Sequence, residues 1–313
     1  MPSASANALA RSPDAFSRVW PRVKTAILIN RGGGSVGEEA AVESALADAG
    51  IDGDLRFLDG CDMVDAAKEA VEGGAELVVA GSGDGTISCV AGAIAGTKTK
   101  LGILPLGTLN HFARDLEIPV DLAEAAKLIA SGRVRSVDVA EVNGRIFINN
   151  SAIGLYPLMV LDRETQQRRL GRSKRLAMIV ASLRTLVRFH HRRLTLTVND
   201  ERTGRVDTPL LFVGNNEYRV DIGAPGQRES LDDGELCALV LRRKSRTGLV
   251  MASIRALLNR SRADDMVRLD GVRTLKVGSS RPRLTISLDG ETVPMKPPLE
   301  YRIRPKALKV IAP

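Results

Sequence analysis

Apolar and polar residues alternate along the first 132 positions in the pattern of strands followed by helices. Short apolar runs typical of buried strands lie between longer stretches with helical spacing. The predicted strands are Val23–Ile29, Leu55–Leu58, Leu77–Ala80 and Leu101–Leu104. The predicted helices are Val36–Ala49, Met63–Gly73, Thr86–Ala95, Leu109–Asp115 and Leu122–Ser131. This alternation predicts a parallel sheet covered by helices on both faces.

After about Arg133 the pattern changes to short strand-like runs separated by turn residues. The runs are Val134–Val142, Ile146–Asn149, Leu194–Val198, Pro209–Val213, Glu235–Leu241, Thr274–Val277, Leu284–Leu288, Thr292–Met295, Tyr301–Arg304 and Leu308–Ile311. Many short strands predict an antiparallel sandwich or barrel. We therefore expect a flexible tail at 1–22, an α/β domain at 23–132 and a β-rich domain at 133–313. The last strands are candidates for returning to the first domain.

The amino-acid composition limits which kinds of function and partner we expect for this protein. Hydrophobic residues make up 44% and charged residues 26%, an ordinary globular balance. Aromatic residues are only 3%, which argues against nucleic-acid modules that stack bases on aromatic rings. The net charge of +8 favours polyanions or anionic lipid surfaces as partners. The three cysteines form no CxxC pair and no run is long enough to span a membrane, so we expect a reduced, cytoplasmic protein.

Two loops that directly follow predicted strands suit a phosphate-bearing ligand. Gly81–Thr86 reads GSGDGT and precedes a predicted helix, and Pro105–Asn110 reads PLGTLN. Glycines let backbone N–H groups approach a ligand closely, and a helix N-terminus favours anionic charge. Loops at the carboxyl ends of neighbouring parallel strands are common ligand sites.

These loops carry a family resemblance. GSGDGT followed by LGILPLGTLNHFARDLEIP closely resembles the diacylglycerol kinase catalytic domain family, which holds bacterial soluble lipid kinases and is related to sphingosine and ceramide kinases. The resemblance covers roughly Lys24 to Ile311. It implies an NAD kinase-like α/β domain that binds ATP and Mg²⁺, and a β-rich domain that binds a lipid such as diacylglycerol.

The resemblance also assigns residues to the nucleotide. They are Asn30, Gly81, Gly83, Asp84, Gly85, Thr86, Thr108 and Asn110. Two positions depart from the family pattern. Arg31 replaces a proline in the first turn, and His111 replaces the aspartate that usually follows the asparagine of the second loop.

A second motif, SLDGE at 287–291, holds the candidate catalytic carboxylates. Asp-Gly between two strand runs is first of all a hairpin turn. By resemblance, Asp289 is the general base, and Glu291 is a supporting acid that can meet magnesium. Asp84 is the alternative base.

A third motif, SLDDGE at 230–235, resembles the family segment that holds a structural magnesium ion. Asp233 would supply a carboxylate, and Ser230 and Glu235 main-chain carbonyls. Magnesium prefers such oxygen ligands. An acidic turn that holds no metal explains the motif equally well.

A basic stretch at 163–193 contains ten Lys or Arg residues and one glutamate. Apolar residues recur in it at helical spacing, as in helices that lie at an anionic membrane surface. A solvated helix packed on its own domain is the competing interpretation. The resemblance favours peripheral contact with the inner membrane surface and leaves the oligomeric state open.

Three other functions stay open. Gly32, Gly34 and Gly37 form GxGxxG after the first strand and Asp59 follows the second, as in NAD-dependent oxidoreductases. An NAD kinase-type enzyme would carry a similar GDGT loop. A non-catalytic lipid-binding regulatory module would account for the departures at Arg31 and His111.

Overall fold

The computed structural model describes residues 25–32, 39–60, 62–154, 191–218, 228, 230–241 and 266–313. The helices within these ranges are α1 (Glu39–Asp48), α2 (Met63–Glu72), α3 (Asp84–Ile94), α4 (His111–Asp115) and α5 (Leu122–Ser131). The first eight strands are β1 (Thr25–Asn30), β2 (Asp54–Leu58), β3 (Leu77–Ser82), β4 (Lys100–Pro105), β5 (Arg133–Val142), β6 (Arg145–Phe147), β7 (Asn150–Gly154) and β8 (Arg192–Val198). The later strands are β9 (Arg202–Thr208), β10 (Leu210–Asn215), β11 (Leu236–Leu241), β12 (Met266–Val272), β13 (Thr274–Ser279), β14 (Leu284–Leu288), β15 (Glu291–Met295) and β16 (Leu299–Ala312).

The first four strands form a parallel sheet in the order β2-β1-β3-β4. The central residues of β1, β3 and β4 are apolar and buried, because the helix pairs α1–α5 and α2–α3 cover the sheet, whereas the edge strand β2 is only partly buried. The register pairs Ile29 with Gly81 and Ser82 with Pro105. The carboxyl ends of β1, β3 and β4 therefore meet at one edge, where the two predicted phosphate loops begin.

A second sheet of six strands is antiparallel, in the order β12-β11-β10-β7-β14-β15. Its buried side chains share one core with those of β5, β8, β13 and β16, which belong to the first sheet. The two sheets thus form a sandwich in the second half of the chain. The predicted fold class, an α/β domain followed by an antiparallel β-rich sandwich, is confirmed.

Strand β16 connects the two halves. It pairs in parallel with β4 and antiparallel with β5 and β13. A register shift between Arg304 and Leu308 divides it, and Lys306 lies there with a φ of 51°. The two runs predicted at Tyr301–Arg304 and Leu308–Ile311 are therefore parts of one strand.

The sequence pattern failed at one central strand. The predicted run that begins at Ile146 ends at Asn149, and no strand was predicted at 150–154, but these residues form β7, which lies between β10 and β14. Its small residues Ser151 and Ala152 are buried without forming the apolar run that identifies a strand. Among the residues that the structure describes, no helix has the length and apolar character needed to cross a bilayer.

Candidate active site

The loops after β3 and β4 pack directly against each other through two glycines. A Cβ added to Gly107 would lie 2.5 Å from the Cα of Gly83 and 2.7 Å from the Asn110 Oδ1. No side chain fits at Gly107 without moving backbone. The contact makes the two loops one surface at the edge of the sheet.

Helix α3 begins inside this surface. Gly83 is its N-cap in an extended conformation, and no side chain caps the helix. The amide groups of the first turn therefore remain available to an anion. The Asp84 Oδ1 instead accepts a hydrogen bond from the Phe112 main-chain N–H, at 3.1 Å, so Asp84 links α3 to the start of α4.

Asn30 attaches β1 to the same loop. Its Nδ2 donates to the hydroxyls of Ser82 and Thr86, both at 3.1 Å, and its Oδ1 accepts from the Gly32 N–H at 2.9 Å. Asn30, Thr86 and the glycine loop thus lie together, as the sequence suggested. Their contact with a nucleotide stays a prediction. The departing residue Arg31 forms an exposed ion pair with Glu39.

Asn110 shapes the second loop from within. Its Nδ2 donates to the carbonyls of Pro105 and Gly107, at 3.0 and 2.9 Å, and its Oδ1 accepts from the Gly107 N–H at 3.0 Å. The residue is 2% exposed, with a φ of 50°. Because both donors of the amide are used by the loop, the structure favours a supporting role for this side chain. Thr108 and His111 are exposed beside it.

Asp289 lies in the β14–β15 hairpin with a φ of 45°. Its Oδ1 accepts from the Asn149 and Asn150 N–H groups, both at 2.9 Å. Its Oδ2 accepts from the Ile148 N–H at 2.8 Å and from the Ser88 hydroxyl on α3. Burial raises the pKa of the Asp289 carboxyl above its usual value, and these four hydrogen bonds lower it in part.

Glu291 lies two residues after Asp289 and is close to the glycine loop. A Cβ on Gly85 would be 3.2 Å from the Glu291 Oε1. Burial raises the pKa of the neighbouring Cys89 thiol, and the negative charge of Glu291 raises it further. The β14–β15 hairpin therefore brings two carboxylates to the first turns of α3.

Arg228, which the sequence analysis did not identify, binds the loop whose amides hydrogen-bond to Asp289. The side chain of Arg228 is fully buried, and its Nε is 2.7 Å from the Asp115 Oδ2 at the end of α4. It also donates to the Ile148 carbonyl at 2.5 Å and to the Asn149 Oδ1 at 3.1 Å. Ile148 and Asn149 are two of the residues whose amides bind Asp289, so Arg228 ties α4 to that loop.

Two aromatic rings complete this cluster. The Arg228 guanidinium lies 5.6 Å from the ring centroids of both Phe112 and Tyr218. Burial raises the pKa of Tyr218 to about 12, so the phenol is neutral at physiological pH. A buried cation between two rings and a carboxylate is fixed in orientation.

The third motif forms a turn before β11. The Ser230 hydroxyl bonds to Asp232, the Asp233 Oδ2 lies 3.5 Å from the Glu217 N, and the Glu235 carbonyl accepts from the Asn216 N–H at 3.1 Å. Within the described ranges no group of three His, Cys, Asp or Glu side chains could hold a metal. One carboxylate with carbonyls does not need such a group, so a magnesium ion at Ser230, Asp233 and Glu235 stays a prediction.

Several predicted features lie outside the described residues. They are Gly34 and Gly37 of the GxGxxG pattern and positions 163–190 of the basic stretch. Gly32 lies within them, and its N–H bonds to Asn30.

Two family models together match most of the chain. Residues 24–142 match the diacylglycerol kinase catalytic domain, and residues 159–312 match the YegS C-terminal NAD kinase beta sandwich-like domain. A solved structure of a diacylglycerol kinase from Bacillus anthracis str. Sterne superimposes with a TM-score of 0.66 at 20% identity, covering 94% of this chain and 98% of that one. This likeness shows the fold.

Sequence relatives show the family. A protein of Klebsiella pneumoniae named "Probable lipid kinase YegS-like" is 41% identical over 131 residues, which are 41% of this chain and 44% of that protein, less than half of its length. A diacylglycerol kinase of Bacillus subtilis is 28% identical over 75% of this chain and 78% of its own. A Pseudomonas syringae pv. tomato protein with the YegS-like name is 31% identical over 93% of this chain and 94% of its own. The chain therefore belongs to the family of YegS-like and diacylglycerol kinase-type lipid kinases.

Proposed function

We propose that this protein transfers the terminal phosphoryl group of ATP to the hydroxyl of a lipid such as diacylglycerol. The observation that carries the proposal is the position of the β14–β15 hairpin. Asp289 accepts a hydrogen bond from Ser88 and the Glu291 side chain lies beside Gly85, so two carboxylates lie at the N-terminal turns of the helix that begins in the glycine loop.

The nucleotide side of the reaction needs close backbone approach and positive potential. The packed glycines of the two loops provide the first, and the uncapped first turn of α3 provides the second. Asn30 and Thr86 fix the loop's conformation from β1. Phosphoryl transfer depends mainly on such positioning and charge stabilisation.

The acceptor side needs a base. In the proposed step the lipid hydroxyl gives its proton to Asp289, its oxygen forms a bond to the terminal phosphorus, and the bond from that phosphorus to the bridging oxygen of ADP breaks. A carboxylate has about four lone-pair sites, and the protein occupies all four in Asp289. The Ser88 hydroxyl is the one donor that can rotate away to admit the substrate.

Magnesium fits the carboxylates beside the loop. Among the described residues, Asp84 Oδ2 and the Glu291 carboxylate, which lies beside Gly85, form no hydrogen bond or ion pair, and oxygen ligands of this kind, with phosphates and water, are those that Mg²⁺ prefers. Asp84 and Glu291 would hold the ion. When bound, it would neutralise charge on the phosphates.

The decisive assay incubates the protein with radiolabelled ATP, Mg²⁺ and a total lipid extract, and identifies any labelled lipid. Asp289→Asn should reduce the rate about 10²–10⁴-fold, the usual contribution of general-base catalysis. The control is Asp270→Asn, in the Asp-Gly pair near the end of β12, where the aspartate side chain is 85% exposed. Undiminished turnover in Asp289→Asn would move the base to Asp84.

An NAD kinase-type activity is the second candidate, because the C-terminal region matches a domain described as NAD kinase beta sandwich-like. The same assay with NAD in place of lipid separates the two. Label in NAD and not in lipid would establish the second candidate. Membrane binding without ATP turnover would instead indicate a regulatory module.

We also propose peripheral contact with an anionic membrane surface through 163–193. The support is the charge of this stretch, ten basic residues against one acid. Sedimentation with vesicles that contain phosphatidylglycerol, but not with pure phosphatidylcholine vesicles, is the expected result. Equal binding to both vesicle types would contradict it.

A further inference from the structure

A polar cavity lies at the edge of the first sheet that is opposite to β2. It has a volume of about 330 Å³ and is lined by His191, Arg192, Arg193, Arg281, Asp207 and neighbouring serines. Arg192 and Arg193 begin β8, which pairs with β9 and β13. Arg281 lies in the turn between β13 and β14. Sheet pairing therefore collects basic residues from two separate parts of the sequence around one cavity.

The positive charge of this cavity is not neutralised. Among the described residues that line it there is one carboxylate, that of Asp207, which lies 3.6 Å from the His191 Nδ1. In the described part of the chain, the guanidinium groups of Arg192, Arg193 and Arg281 form no ion pair and no hydrogen bond. Burial lowers the pKa of Arg192, and the charge of Arg281 lowers it further. Like charges around one cavity repel each other, and a bound anion would relieve that repulsion.

The chemistry of the lining favours phosphate. Guanidinium groups present planar donor pairs that match phosphate oxygens and bind them bidentately. Serine hydroxyls beside them add neutral donors. The volume is within the range of small-ligand sites, so a phosphate group with a small substituent fits.

The cavity is separate from the catalytic centre proposed above. Arg281 precedes β14 and Asp289 follows it, so the strand Leu284–Leu288 lies between them. Five residues of strand span about 13 Å between their first and last Cα atoms. A group bound at Arg281 therefore does not lie at the Asp289 carboxylate.

We propose that Arg192 and Arg281 form the centre of a phosphate-binding site, which takes either free phosphate or the phosphate of a lipid headgroup. Both sources present the same oxygens to the same guanidinium groups. The two arginines of β8 also end the basic stretch 163–193, so the site continues its charge. The proposal does not depend on kinase activity, since it concerns binding alone.

The test compares the full chain with the variant Arg192→Gln/Arg281→Gln by two binding measurements. One is calorimetric titration with inorganic phosphate. The other is sedimentation with phosphatidylcholine vesicles that contain phosphatidylglycerol. Losing two charge-assisted contacts should weaken binding about tenfold or more in at least one measurement.

The matched control is Lys98→Gln/Arg133→Gln, which removes two charges from exposed positions outside the cavity. If the cavity variant binds phosphate more weakly and the control does not, the site takes free phosphate. If the cavity variant binds vesicles more weakly and the control does not, the site takes a lipid headgroup. Unchanged binding in both measurements, or equal loss in the control, overturns the proposal. Arg281→Glu changes a single exposed residue and gives the same readout if the double variant is unstable.

Discussion

The number of hydrogen bonds at Asp289 determines how this carboxylate can act as a base. Three of its four donors are the main-chain N–H groups of Ile148, Asn149 and Asn150, from the β6–β7 loop and the start of β7, and they cannot be removed without moving the backbone there. The fourth is the Ser88 hydroxyl. Ser88 therefore influences both the orientation and the proton affinity of Asp289.

Ser88→Ala tests this influence. The Ser88 hydrogen bond lowers the pKa of Asp289, so its loss should raise that pKa further above the usual value of an aspartate. A base acts in its deprotonated form, and activity is lost as the pH falls through its pKa. The acidic limb of the kcat/KM profile should therefore move to higher pH.

The measurement is the pH dependence of kcat/KM for lipid phosphorylation in both proteins. Cys89→Ala is the control, because Cys89 is the next residue of α3 and donates no hydrogen bond to Asp289. An acidic limb at the same pH in wild type and Ser88→Ala would show that Asp289 is not the titrating base.

A second prediction for a single residue concerns Gly107, where the two loops pack together. In Gly107→Ala the new methyl group would collide with Gly83, and overpacking of this kind costs about 1–3 kcal/mol. If the packed loops bind ATP, the dissociation constant should rise about ten- to a hundredfold, as measured by calorimetry. Gly204→Ala on β9 has nothing within 4 Å of its Cβ and should bind ATP normally.

Single residues also show where sequence reasoning succeeds. The family resemblance assigned Asn30, Asp84 and Thr86 to one site, and they lie together because loops after parallel strands meet at one edge. Sequence reasoning missed Ser88, although Ser88 lies four residues after Asp84 and so on the same face of α3. The role of Arg228 could not be predicted from a local motif, because its partners Asp115 and Asn149 are distant in sequence.

At the scale of elements, Arg228 joins α4 to the loop between β6 and β7. Its ion pair with Asp115 is buried, and Asp115 is itself 7% exposed at its side chain. Removing one partner of a buried pair leaves a charge without compensation, whereas removing both leaves none. The two elements therefore depend on each other through this pair.

A double-mutant cycle measures that dependence. Arg228→Met should lower the free energy of unfolding by about 3–5 kcal/mol, because Asp115 remains buried and charged. Adding Asp115→Leu should restore part of the loss, as urea denaturation would show. Strictly additive losses in the double variant would mean that the pair does not couple α4 to the loop.

How well a helix or strand can be predicted from the sequence depends on its place in the fold. Helices and buried parallel strands were predicted well because their hydrophobic periods are long and regular. Strands β9 and β12 were missed, since both are outer strands of their sheets with exposed, charged residues at positions that a buried strand would fill with apolar ones. The alternation that identifies a strand depends on burial, and an edge strand is buried least.

For the whole molecule, β16 is shared by two hydrophobic cores. Leu308 belongs to the core of the α/β half, and Leu299 to the core of the sandwich. Both are at most 1% exposed. The predicted boundary near residue 132 separates two composition patterns, but one continuous strand crosses from one core to the other.

Leu308→Ala and Leu299→Ala test whether the two cores unfold together. Each substitution should cost about 2–5 kcal/mol through lost contacts and a cavity. Because β16 joins the cores, we expect one calorimetric transition whose Tm falls in both variants. Val134→Ala is the control, since Val134 is 48% exposed. Two transitions, with each variant shifting a different one, would show independent domains.

The place of β16 in the sheet has a consequence for how the protein is made. β4 lies between β3 and β16 in the sheet. It is synthesised early, whereas β16 leaves the ribosome only after the whole sandwich region has been translated. Until then the nascent α/β half presents an unpaired strand edge, the kind of surface on which aggregation begins. Chaperone protection during translation should therefore matter more for this protein than for one whose sheet closes in the order of synthesis.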